Sequence, residues 1–225
     1  MSRRKRLALI VFIVLIAGFA VYEVWEYIHT HRSIADIPEP IQIDLPSSEQ
    51  LKTYTVHGAD FGRPDYEMEM NYLAEYAIKG LVIGTKHMPD ETAYDKSFPA
   101  DVSLAWGLYA ANRDAMECKN GPRKLSCTYK NEDLARIGAN RSILNLVSNN
   151  HLSPSSSGIY DQIMRIRAGD YVEIKGYLVR VKVHSGSETF SATSSLVRTD
   201  RMDGSFDRTN TGCEMIYVTS IDWLD

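Results

Sequence analysis

The apolar pattern is strongest at the start of the chain, where residues 7–22 run "LALIVFIVLIAGFAVY" without a charge or a strong polar group. Such a run with no polar face predicts a helix apolar all round, not an amphipathic surface helix. Residues 29–50 then hold "IPEPIQIDLPSSEQ", proline-rich and aperiodic, which predicts an extended stalk. Residues 77–86 predict the first strand, and residues 101–111 a short helix with Asp101 as its cap. Trp106 and Gly107 are expected to pack on the end of a barrel. Further on, Ile159, Ile163 and Ile166 recur at helical spacing; Ser155–Ser157 supply cap candidates, and Gly169 suits the position past the end. Residues 170–183 predict a strand in which Val172 and Ile174 share one parity and Val179, Val181 and Val183 the other. That slip of phase near Gly176–Tyr177 predicts a bulge or a sharp coil in a small barrel. Residues 189–198 and 213–224 predict two more strands around a polar loop, 199–212. The sum is an α+β, mainly β fold: an N-terminal transmembrane helix, then a small OB-like, partly open antiparallel barrel with one or two short helices. The chain divides into three regions: 1–28 as basic tip and anchor, 29–52 as stalk, 53–225 as the β-rich domain.

The basic "RRKR" at residues 3–6 gives the apolar run an orientation. Cations are retained on the cytoplasmic side, so the remainder is expected outside. A span needs about 20 apolar residues, reached by continuing past Glu23 to Trp25, with Trp25 and Tyr27 at the far interface. A cleaved signal peptide has the same basic start with a shorter apolar stretch, and "GFA" at 18–20 is a possible cut. The length and the aromatic flank favour a retained anchor through residues 7–25. A single-pass protein of the bacterial cytoplasmic (inner) membrane, with its C-terminal domain in the periplasm or outside, is the expectation.

Charge then narrows the partners. Five of 25 cations and two of 29 acids lie in the first 32 residues, leaving 20 cations against 27 acids outside. A domain at −7 repels phosphate backbones, so nucleic acid is not an expected partner. Cys118 and Cys127 flank "KNGPRKLS", whose "NGP" signals a turn. A hairpin there predicts a disulfide that leaves Cys213 alone; the alternative is three unlinked buried thiols. With no C-x-x-C and no histidine near either cysteine, no zinc site is expected. His29 and His31, two apart, do not share a helix face, and no cofactor is implied.

In order and spacing, "FPADVSLAWG", "SNNHLSP", "GDYVEIKGYLV" and "SSLVRTD…GCEMIYV" resemble a group of bacterial membrane-anchored proteins with one exported domain. The resemblance spans residues 76–218. The group has no established activity, so it implies an envelope location and a single domain, and no catalytic residue.

"SNNHLSPSSSG" at residues 148–158 holds the best candidate for chemistry. His151 is a possible general base, with Ser153 or Ser155–Ser157 as nucleophile and Glu214 or Asp200 as orienting acid. Nucleophilic catalysis needs base and nucleophile in hydrogen-bond reach and a third group behind the base. No G-x-S-x-G elbow is present. The competing reading is a histidine in a structured turn, bonded to backbone or to Asn149 and Asn150. Asp200, Asp203 and Asp207 do not match a calcium loop, since Arg201 and Thr199 fall where acids belong. The expected function is therefore a binding or assembly module with an envelope protein or ligand as partner. An envelope hydrolase built on His151 is the alternative.

Overall fold

A computed structural model describes residues 3–34, 37–44, 53–63, 65–121, 123–194 and 213–224. Helix α1 (Arg3–Thr30) holds the apolar run. Its stretch Leu7–Thr30 is, among the described residues, the one helix long and apolar enough to cross a membrane, and it is not buried by the rest of the chain.

Two long strands organise the remainder of the chain, β3 (Glu67–His87) and β8 (Tyr171–Ser185), which pair antiparallel from Glu67↔His184 to Leu81↔Tyr171. The other edge of β3 pairs in turn with β2 (Thr53–His57), β1 (Ile41–Asp44) and β4 (Ala100–Ala105). The other edge of β8 takes β10 (Cys213–Trp223) and β9 (Glu188–Thr193). β7 (Val147–Pro154) pairs antiparallel with β4 and parallel with β10. The sheet therefore curls through β3, β4, β7, β10 and β8 back to β3. The fold is α+β and mainly β, as expected. The stretch expected as a stalk contributes β1 to the sheet, and Ile37 lies in the core.

Short helices close the ends: α2 (Ala93–Ser97), α3 (Gly107–Ala111), α4 (Asn131–Arg136) and α5 (Ser157–Ile163). The start of α5 forms where its local signals place it: the Ser156 hydroxyl accepts from the Ile159 amide, and Ile163 is fully buried. The helix ends at Ile163 with Met164 as its C-cap, so Ile166 lies beyond it and Gly169, at φ +96°, belongs to a later turn and not to the helix end. Residues 101–111 differ from expectation. Ala100–Ala105 is a strand buried on both faces, and the helix begins only at Gly107, so Asp101 caps nothing. Trp106 is buried in the core beside α3.

The phase slip in β8 has a different cause from a bulge in that strand. β8 counts residue for residue, and its partners carry the extra residues: Leu73 on β3, between Tyr72↔Val179 and Ala74↔Leu178, and Thr219 on β10, between Val218↔Gly176 and Ser220↔Lys175. Even positions of β8 (Val172, Ile174, Leu178) bury into the curled sheet with Ile78, Leu152 and Ile216. Odd positions (Val179, Val181, Val183) bury on the other face with Met68, Met70, Phe98, Met215 and Tyr217. One strand serves two cores on opposite faces, so its apolar parity changes while its backbone does not slip. Gly176 is required there: a Cβ would lie 2.0 Å from the Tyr217 carbonyl oxygen.

Candidate functional site

The polar stretch around His151 lies in β7, not in a loop. Its alternation sends Asn149, His151 and Ser153 to one face and Ser148, Asn150 and Leu152 to the other. On the inner face the Asn150 amide donates to the Val102 carbonyl (3.0 Å) and to the Ser148 hydroxyl (2.9 Å). On the opposite face the Ser103 hydroxyl donates to Asn149 Oδ1 at 3.1 Å.

His151 sits in register with Asp101 on β4, and its Nδ1 lies 2.7 Å from Asp101 Oδ1. A third element completes the group. The disulfide-bonded hairpin of β5 (Glu117–Gly121) and β6 (Lys124–Thr128), joined at Cys118–Cys127, carries Arg123 at its tip with φ +59°. Arg123 donates from its backbone amide to Asp101 Oδ2 and from its guanidinium to Asp101 Oδ1, both at 2.9 Å. The same guanidinium donates to Asp95 Oδ1 (2.7 Å) and to the Phe98 carbonyl (2.9 Å) and lies 3.8 Å above the Tyr94 ring. Tyr94 also meets the His151 ring edge to face. Asp101 is fully buried and His151 nearly so. Two carboxylates, one guanidinium and one imidazole thus form a hydrogen-bonded group that is buried at Asp101 and His151 and partly exposed at Arg123 and Asp95. The buried carboxylate is paired, the condition under which buried charge is tolerated. A carboxylate has no proton to give, so the ring nitrogen facing Asp101 Oδ1 is the donor of that pair.

That is the orientation an acid gives a general base, and the rest of a hydrolytic site is not assembled around it. Ser153 shares the His151 face two residues on, yet its buried hydroxyl makes no hydrogen bond to any described residue. Ser156 is occupied as the α5 cap. The expected acid Glu214 is in register with Asn150, on the face opposite the His151–Met215 pair. Asp200, Asp203 and Asp207 lie outside the described residues. Sequence reasoning misses Asp101 and Arg123 as members of this site. The available signal is the acid itself: Asp101 stands in a strand buried on both faces, where a carboxylate demands a partner.

The outer face carries a second constellation that alternation alone does not announce. Tyr54 (β2), Tyr72 (β3), Tyr177 (β8) and Tyr217 (β10) form a stacked row crossing four strands. Tyr72 lies 4.4 Å from Tyr54, 4.0 Å from Tyr177 with planes 3° apart, and 6.1 Å from Tyr217. Tyr54 is exposed, Tyr72 and Tyr177 half-buried, and Tyr217 buried. Burial, and then the neighbouring phenols, push the Tyr72 hydroxyl well above its ordinary value, and burial raises Tyr217. These phenols stay protonated and can donate.

Cys118 and Cys127 form the expected disulfide, and Cys213 stands outside it. Among the described residues no group of three His, Cys, Asp or Glu side chains could hold a metal ion. His29 and His31 have separate partners, Asp170 and the Tyr27 carbonyl. No protein-family model, curated protein or solved structure matches the chain.

Proposed function

We propose that the chain is a membrane-anchored, extracytoplasmic binding or assembly module of the bacterial envelope, built on an OB-like barrel and acting without catalysis. The anchor reading is supported by α1, exposed along its whole apolar run. The compartment is supported by the Cys118–Cys127 disulfide, a bond favoured where thiols are oxidised, and by the basic residues 3–6. An OB-like architecture is supported by connectivity. Five strands close in the order β3–β4–β7–β10–β8, a parallel pair joins β7 to β10, and α5 lies between β7 and β8.

The observation that carries the binding reading is the stacked row of Tyr54, Tyr72 and Tyr177. Rigid aromatic side chains with a polar tip are the side chains binding surfaces concentrate. Here they are held by the sheet at little conformational cost. The hydrolase reading has one favourable observation, the Asp101–His151 pair, and lacks an engaged nucleophile.

Crosslinking and pull-down from native membranes separate the two readings. The Tyr54→Ser/Tyr177→Ser variant should fold and lose its crosslinked partner, while His151→Ala, where folded, should keep it. Loss of the cellular phenotype in His151→Ala, with folding and partner recovery intact, would favour catalysis.

A further inference from the structure

Trp25 and His29 on α1 meet Arg165, Arg167, Asp170 and Trp223 of the domain around a cleft of about 360 Å³. We propose that this cleft binds the phosphate of an anionic phospholipid headgroup in the leaflet from which the domain emerges. The proposal rests on the membrane-anchor reading above.

Depth comes first. Residues 7–25 at about 1.5 Å per residue extend roughly 28 Å, close to the ~30 Å of a hydrocarbon core. Trp25 then lies where hydrocarbon gives way to headgroups, the depth that indole rings favour. His29 is one turn further along.

The domain is fastened at that level. His29 Nε2 lies 3.0 Å from Asp170 Oδ1, and the His29 ring stacks on Trp25 at 5.1 Å. Gly169 lets the helix end approach, since a Cβ there would lie 2.1 Å from the His29 carbonyl oxygen. The Arg167 amide and the Trp223 indole both donate to Asp170 Oδ2, at 2.9 and 3.1 Å. Both oxygens of the acid lining the cleft are thereby engaged in holding the fold.

The cations are not so engaged. Arg165 spends its Nε on the Asp161 carbonyl, leaving its terminal nitrogens, like the whole Arg167 guanidinium, without a hydrogen bond to any described residue. Both arginines are exposed. Two guanidinium forks beside two half-exposed indoles, at 50% and 40% exposure, match a phosphodiester at the apolar boundary. This local positive pair stands on a domain that is otherwise acidic, so it is not a by-product of overall charge.

The test uses the full chain, released in mild detergent from bilayers of equal phosphatidylglycerol and phosphatidylcholine and weighed intact by mass spectrometry. Wild type should retain phosphatidylglycerol in preference to phosphatidylcholine. Arg165→Gln/Arg167→Gln should reduce that retained lipid about tenfold or more, as loss of two charge-assisted donors implies. Equal retention by both chains, or no preference for the anionic lipid, overturns the proposal. Displacement of the lipid by millimolar inorganic phosphate would assign the cleft to free phosphate and overturn it as well. Alkaline-carbonate extraction is run in parallel on both chains. Release of the wild type would refute the anchor itself, whereas retention of both with equal lipid binding refutes only the cleft.

Discussion

At the residue scale, the Asp101 carboxylate is the group whose burial most needs its partners. Asp101 is sealed from water and receives both Arg123 and His151. Removing one partner from a buried ion pair leaves an uncompensated charge, which costs about 3–5 kcal/mol. Arg123→Ala should therefore lower the melting temperature far more than Arg136→Ala, whose exposed pairing with Asp114 is of the kind that contributes about 0–1 kcal/mol. Equal shifts in thermal denaturation would mean that the hairpin tip does not hold Asp101. The tyrosines give a second check. Burial raises the phenols of Tyr66, Tyr72, Tyr94, Tyr109 and Tyr217 above the ordinary value of about 10. The folded state then binds more protons than the unfolded chain above that pH, so stability is full below about pH 10 and falls as pH rises beyond it. A spectrophotometric titration should find a late-ionising class of tyrosines that merges with the rest on unfolding. A single class near 10 in the native protein would contradict the burial of these five phenols.

Elements explain why some of this is legible in the sequence and some is not. The start of α5 is readable because its cap and first apolar spacing are local, whereas its end at Ile163 comes earlier than Gly169 signals. β7 reads as a loop because serine and asparagine signal turns when taken locally. Here they lie in an interior strand, and their partners come from far along the chain: Val102 and Ser103 from β4 and, through Asp101, Arg123 from the hairpin. The parity change in β8 is visible in the sequence, whereas its cause, a second core on the other face, emerges only when β3 and β10 are laid beside it. The turn signal announces the disulfide but not its role: it clamps the hairpin that presents Arg123. Closing a loop of this size contributes about 2–3 kcal/mol in the chain-entropy account. Cys118→Ser/Cys127→Ser should lose about that much, measured by denaturant unfolding. It should lose little more once Arg123→Ala is already present, if clamp and tip act as one unit. Full additivity would show them to be independent.

At the scale of the whole molecule, an acidic domain meets an apolar helix at a tight approach, beside the His29–Asp170 contact. Gly169 combines φ +96° with the His29 carbonyl where a Cβ would stand. Gly169→Ala should leave the distant Asp101 network folded while separating α1 from the 164–170 turn. Faster hydrogen exchange at residues 29–34 and 167–170 alone would report that separation, and unchanged exchange there would show that the contact does not hold the helix. On the proposed anchor and docking function, this contact would hold the domain at a set angle to the bilayer and present the tyrosine row in a defined direction. The most direct test of the binding account is a photo-crosslinking amino acid placed at Tyr54 in the full chain, irradiated in native membranes. The account predicts a discrete adduct that Tyr177→Ser abolishes, and no adduct from position 54 in a correctly folded, membrane-inserted chain would contradict it.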